Sequence, residues 1–170
     1  MIRLRQPRSD DKEIMRLIRS ELIPYSHTAQ TDVALTMRGL PKRLRQGVTF
    51  VAVRRRSDPL IGFLHVVVLG NVLYIDMLAV HPDHRGSGWG KRLMEYGEAY
   101  GISRQCSTAR LVVDESNPGA QRFYCRIGYR VGGYDPHIRC RNMFKPLNAK
   151  PYPGQETRGG GGAGNSDPAG

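Results

Sequence analysis

The 170-residue chain predicts one mixed α+β domain with about seven strands and four helices. Three observations carry that reading. Apolar residues recur at helical spacing in some segments and in alternation or short β-rich runs in others. Three of the β-rich runs follow one another with only turn residues between them, as in an antiparallel meander. Apolar content of 39% with 24% charged residues is enough for one buried core.

The elements follow in order. Residues 2 to 6 alternate as a first strand. Asp10 and Glu13 form a capping pair ahead of Ile14, Leu17, Ile18 and Leu22, which recur at helical spacing. Thr31 to Gln46 is a second helical stretch, with Val33, Met37, Leu40 and Leu44 on one side. Gly39 and Pro41 are expected to break it in two. Val48 to Arg54, Leu60 to Leu69 and Val72 to Val80 are the meander, turned at Arg56-Ser57-Asp58-Pro59 and at Gly70-Asn71. Gly88 to Arg104 carries Trp89, Leu93, Met94, Tyr96 and Tyr100 at helical spacing. A strand over Ala109 to Val113, a helix from Pro118 to Arg126 and strands near 129 to 134 and 138 to 146 complete the domain. Pro118 suits a first helical turn, where its missing N–H is not needed.

The domain is expected to span residues 1–150. From Pro151 to Gly170, seven glycines and three prolines fill half the positions and apolar periodicity ends, so a disordered Gly/Pro-rich tail is expected there. The longest apolar run, Leu60 to Gly70, is interrupted by His65 and is about half of the ~20 residues that a membrane span requires. The N-terminal residues show no signal-peptide pattern, and a cytoplasmic location is expected. Cys106, Cys125 and Cys140 form no CxxC pair and are expected to be reduced, mostly buried thiols. The five histidines show no metal-ligand spacing, so no metal is expected.

Chemistry concentrates in two segments. The first runs from the strand Val72–Val80 through His81-Pro82-Asp83-His84 into Arg85-Gly86-Ser87-Gly88-Trp89-Gly90 and then directly into a helix. Glycines let the backbone approach a ligand, and the free N–H groups and positive dipole end of a helix attract an anion, so a phosphate or pyrophosphate belongs there. There is no GxxxxGK[ST], and no GxGxxG in a repeated βαβ array, so the nucleotide-site readings lack their usual context. The second segment is Asn117-Pro118-Gly119-Ala120-Gln121-Arg122-Phe123-Tyr124-Cys125-Arg126-Ile127-Gly128-Tyr129.

Together the two segments resemble the GNAT family of acyl-CoA-dependent N-acetyltransferases. The family's RxxGxG loop stands here as Arg85, Gly88 and Gly90, and its NxxAxxFYxxxGY segment as Asn117, Ala120, Phe123, Tyr124, Gly128 and Tyr129. The resemblance covers about residues 1 to 147 and implies a mostly antiparallel, splayed central sheet flanked by helices. It implies acetyl-CoA as acyl donor. The pyrophosphate would be held by the backbone of Arg85, Gly86, Ser87, Gly88, Trp89 and Gly90, and the pantetheine arm would lie along Leu78, Ala79 and Val80. Asn117 matches a cofactor-contacting side chain, with a helix N-cap as its other reading. Tyr124 matches the acid that serves the departing thiolate, with simple aromatic packing as its other reading.

Asp76 is the first candidate for the general base, because a carboxylate in an apolar strand is costly unless it is paired or lines a cleft. It is expected on the same face as Tyr74 and Leu78. Tyr74, His65 and Glu115 are alternatives, and a partnered carboxylate that only orients a neighbouring group or binds the incoming ammonium is Asp76's other reading. Tyr25 to Arg45 and the segment near 132 to 138 are expected to shape the cleft for the amine acceptor.

Lys plus Arg number 26 against 15 Asp plus Glu, a net +11, and 21 of the 26 are arginine. Clustered arginines such as Arg54-Arg55-Arg56 can bind nucleic acid. No aromatic platform or recognition helix accompanies them, and a solvated basic surface is preferred. Three functions stay open: an N-acetyltransferase, a catalytically silent acyl-CoA sensor, and an RNA- or ribosome-associated protein. The chain is expected to be a monomer or a homodimer, pairing through the C-terminal strands being common in proteins that resemble it.

Overall fold

The computed structural model describes residues 1–56 and 58–147. The expected tail at 151–170 lies outside them. The elements are β1 (Ile2–Leu4), α1 (Pro7–Leu17), α2 (His27–Thr31), α3 (Val33–Arg45), β2 (Val48–Ala52), β3 (Gly62–Leu69), β4 (Val72–Val80), α4 (Trp89–Ser103), β5 (Thr108–Asp114), α5 (Pro118–Arg126), β6 (Arg130–Asp135) and β7 (Cys140–Pro146). A π-helical turn over Ile18–Leu22 and a 3-10 turn over Ile23–Tyr25 continue α1, and a second 3-10 turn covers Pro82–His84.

The strands form one sheet in the order β1-β2-β3-β4-β5-β7-β6. Every pairing is antiparallel except β4 with β5. The expected meander is β2-β3-β4, and its second turn is Gly70-Asn71 with Gly70 at φ 60°, a conformation open to glycine. The β4–β5 pairing covers only Val72–Tyr74 against Thr108–Arg110. Beyond Tyr74 both strands continue unpaired with each other, and this opens the sheet.

Two cores fill the two faces. One joins α4 and α5 to the sheet through Leu64, Leu73, Ile75, Leu93, Met94 and Tyr124. The other joins α1 and α3 through Ile14, Leu17, Leu40, Leu44, Phe63 and Met77. Gly97 and Gly101 let α4 settle onto the first face: a Cβ at Gly97 would lie 2.4 Å from Leu64 Cδ2, and one at Gly101 2.8 Å from Leu73 Cδ2.

Several local expectations are corrected. Helix α1 starts at Pro7, three residues before the expected cap. Asp10 reaches back to accept the Gln6 N–H at 2.6 Å while pairing with Arg3 at 2.7 Å. Pro41 does not break α3; the break falls at Asp32, whose side chain caps α3 by accepting from the Leu35 N–H at 2.8 Å. An interior proline costs about 3 kcal/mol, but Leu40 and Leu44, each 1% exposed, contribute about 1.5 to 3 kcal/mol apiece on burial. Burial wins, and the helix runs through. Of the cysteines only Cys106 is buried; Cys125 is exposed and Cys140 half-buried.

Candidate active site

A β-bulge decides what β4 presents. His65 pairs with Met77, but the next residue, Val66, pairs with Ile75, leaving Asp76 as the extra residue. The strand's phase flips there. Before the bulge Leu73 and Ile75 face α4; after it Met77 and Ala79 face α1 and α3, while Leu78 and Val80 turn to the α4 side. Asp76 therefore shares Tyr74's face but not Leu78's, which corrects the expected alternation.

Past Tyr74 the β4 edge toward β5 has no partner strand among the described residues. The His81 N–H bonds Ile61 O across β3 at 2.8 Å. Backbone groups alternate sides along a strand, so those of Leu78 and Val80 point into the opening. Arg85 Nε donates to Val80 O at 3.3 Å, as this orientation requires. Of the three expected strand residues, Leu78 and Val80 line the opening, and Ala79 is buried in the opposite core.

The loop that follows is shaped for an anion. Gly86 and Gly88 hold φ of 74° and 81°, and nothing lies within 4 Å of where either Cβ would be. The N–H groups of Gly86 to Gly90 meet no acceptor among the described residues, and Gly88 is the N-cap of the 15-residue α4. These unmet donors and the open approach fit a pyrophosphate. Ser87 Oγ is turned back onto His84 O at 2.5 Å. Gly90 has another purpose: a Cβ there would meet Phe123 Cζ at 3.2 Å, so its small size seats α5 against α4. Arg85 also pairs with Glu21 of the π-turn, which ties the start of the chain to this loop.

On α5, Asn117 Oδ1 accepts the Ala120 N–H at 3.1 Å, the N-cap arrangement. Tyr124 is buried beside Tyr129, ring centroids 5.8 Å apart and edge to face. Burial pushes its phenol pKa well above the ordinary value, so the hydroxyl stays protonated. Tyr129 donates to Glu98 Oε1 at 3.0 Å, and Glu98 is paired with Lys145 at 2.8 Å. This buried chain fixes the ring against which Tyr124 rests.

Asp76 is gripped by Arg43 of α3 through two parallel bonds, Nε to Oδ2 at 2.8 Å and Nη2 to Oδ1 at 2.6 Å, the strong geometry for this pair. His65, 0% exposed, lies behind it with Nε2 3.9 Å from Asp76 Oδ2 and Nδ1 2.8 Å from Thr49 Oγ1. Its Nε2 is buried and has no hydrogen-bond partner among the described residues. Burial lowers the His65 pKa, with Asp76 opposing. Glu115 stands apart on the surface, bound by Tyr134 at 2.5 Å and Arg139 at 2.6 Å. Sequence reasoning missed Arg43, Thr49, Glu21 and Glu98; the demand of a mid-strand carboxylate for a partner was visible, but not which residue would meet it.

The profile described as Acetyltransferase (GNAT) family matches residues 12–129. The chain belongs to the GNAT acetyltransferase family. It is 33% identical over 110 residues to the peptidyl-lysine N-acetyltransferase YjaB of Escherichia coli (strain K12), a stretch covering 65% of this chain and 63% of that relative. A streptothricin acetyltransferase of Escherichia coli is 33% identical over 61 residues, 36% of this chain and 35% of the relative. The matched stretches thus span less than two thirds of either curated relative. An aminoglycoside 6'-N-acetyltransferase complexed with coenzyme A shares the fold at TM-score 0.70 and 17% identity, covering 89% of this chain and 99% of that one. The mostly antiparallel, open seven-stranded sheet with its five α-helices is the GNAT fold.

Proposed function

We propose that this GNAT protein is an N-acetyltransferase that moves an acetyl group from acetyl-CoA to a primary amine by direct attack within a ternary complex. The observation that carries the reading is the junction of two features: the unpaired β4 edge at Leu78 and Val80, and the unmet N–H groups of Gly86 to Gly90 at the start of α4. When bound, acetyl-CoA supplies the acyl group as a thioester. Leu78 and Val80 offer backbone donors and acceptors to an extended arm, and one N–H polarises the thioester carbonyl. Arg85 to Gly90 hold the pyrophosphate, and Asn117 and Tyr124 border the arm from α5.

The ammonium first gives one proton to the base; the amine nitrogen then forms a bond to the acyl carbon as the carbon–sulfur bond breaks and loses a second proton, so that one proton reaches the thiolate and the other passes to solvent. Tyr124 serves the sulfur. With its pKa raised by burial it acts chiefly as a hydrogen-bond donor to the departing thiolate. Asp76 is the candidate base: it lies two residues past Tyr74, within the stretch of β4 that β5 leaves unpaired, and binds the incoming ammonium before accepting its proton. The Arg43 fork holds the carboxylate oriented. The three free thiols and the acetyl-CoA donor accord with a reducing, cytoplasmic setting. Among the described residues no helix is long and apolar enough to cross a membrane.

The test is thermal unfolding with and without acetyl-CoA, beside an Arg85→Ala/Gly88→Ala variant. A ligand at 100 times its Kd adds about 2.7 kcal/mol to stability, a clear upward shift. A shift that disappears in the variant, followed by amine-dependent thiol release, supports the reading. No shift at saturating acetyl-CoA overturns it.

A further inference from the structure

The sheet face opposite α4 and α5 is covered by α1 and α3 over its first half and left open over β5, β7 and β6. Its floor follows from the register. Ala109, Leu111, Val113 and Met143 are buried on the α4 side, so their neighbours in sequence face the other way. Tyr74 pairs with Arg110, Arg110 with Phe144, and Val112 with Asn142. Arg110 and Asn142 are exposed, and Val112 is 38% exposed. Arg43 on α3 and His27 on α2 stand at the groove's margins, bonded to Asp76 and Asp114.

The charges on this floor are unevenly matched. Asp76 is already neutralised by Arg43. Asp114 accepts from the His27 N–H at 2.8 Å, meets its ring at 2.7 Å and accepts from Ser116 at 2.7 Å. Glu115 at the rim is held by Arg139. Arg110 makes no ion pair among the described residues. On the same face Arg130 opposes Phe144 and Asp135 opposes Cys140 on the outermost strand, β6, and neither makes an ion pair among the described residues. Next to Asp76 the floor therefore offers an approaching molecule one unpaired cation, Arg110, in a chain of net charge +11.

We infer that the acceptor is an amine carrying its own carboxylate nearby, with the amine at Asp76 and the carboxylate on Arg110, rather than a polycation. This rests on the transferase reading above and names its substrate class. Asp76 lies two residues past Tyr74, the partner of Arg110, where the two strands part, so both side chains border the same opening and can meet one small zwitterion. A free amino acid and a lysine beside an acidic residue in a peptide present the same pair of groups. A second ammonium close to the first would face Arg110 and Arg43, while Asp135, which makes no ion pair among the described residues, lies three strands away on β6.

The test compares acceptors by thiol release with acetyl-CoA: a set of free amino acids, their C-terminal amides, a lysine peptide with glutamate neighbours, the same peptide with glutamine neighbours, and spermidine and streptothricin as polycations. The expected result is a kcat/KM about tenfold higher for a carboxylate-bearing acceptor than for its neutral counterpart, with polycations poorest. Whether the amino acids or the peptide are turned over tells the two sources apart, and either supports the inference. In Arg110→Gln the advantage should vanish, and in Arg110→Glu it should invert, while the acetyl-CoA thermal shift reports an intact fold. Equal rates for charged and neutral counterparts, preference for polycations, an unchanged ratio in Arg110→Gln, or acetyl-CoA binding with no turnover of any carboxylate-bearing acceptor would overturn it. Absence of both acetyl-CoA binding and thiol release would instead overturn the transferase reading.

Discussion

Asp114 binds His27 twice across 87 residues of chain, accepting the backbone N–H through Oδ2 at 2.8 Å and meeting the ring Nδ1 through Oδ1 at 2.7 Å. The contact seats α2 on the open end of β5. Burial alone would raise the carboxyl pKa, but the N–H bonds of His27 and Ser116 outweigh it and hold Asp114 at about 2, against an ordinary 3.8. The stabilisation is therefore present above the ordinary value and lost as pH falls through about 2. Discounted for solvent screening, Asp114→Asn should cost about 1 kcal/mol at pH 7. Urea unfolding of both proteins at pH 7 and at pH 2.5, on the order of the native value, should show that cost shrinking; the same cost at both would contradict the assignment.

His65 should add a second pH dependence, at higher pH. Its pKa is lowered by burial, so the stability gained from keeping it neutral is complete above the ordinary imidazole value of about 6.5 and is lost as pH falls below it. Wild type should therefore lose more stability between pH 7 and pH 5 than His65→Leu, measured as the change in urea midpoint. Equal losses would mean that His65 does not titrate in that range.

Two glycine substitutions should act in opposite directions. Gly88→Ala places a side chain at φ 81°, which costs about 1 to 2 kcal/mol, and it should abolish the acetyl-CoA thermal shift. Gly39→Ala lies inside α3 with nothing within 4 Å of the new Cβ, and should stabilise by about 0.5 to 1 kcal/mol. Differential scanning of the two variants with and without acetyl-CoA reads both effects.

Tyr124→Phe should lower kcat by roughly a hundredfold, without weakening acetyl-CoA binding measured by calorimetry. The ring and its contacts with Phe123 and Tyr129 are retained, so a fall in rate belongs to the hydroxyl. Unchanged turnover would leave Tyr124 as a packing aromatic.

The sequence by itself determined the element order, the meander, and the loop from Arg85 to Gly90 at a helix start. These rest on interactions between residues close in the chain: apolar periodicity, turn glycines, and the missing partners of a helix's first N–H groups. It also exposed Asp76 as a carboxylate in need of a partner. Only the tertiary structure decided that the partner is Arg43, 33 residues away, because a charge is satisfied by whatever the packing of α3 on the sheet brings to it. Pro41 shows the same division: local propensity predicts a break, and the burial of Leu40 and Leu44 overrides it. The bulge at Asp76 was equally illegible. A slip of one residue between β3 and β4 leaves the period-2 pattern of β4 intact in sequence while it changes which core each side chain enters. That slip puts Asp76 beside the open floor and turns the Leu78 side chain to the α4 side.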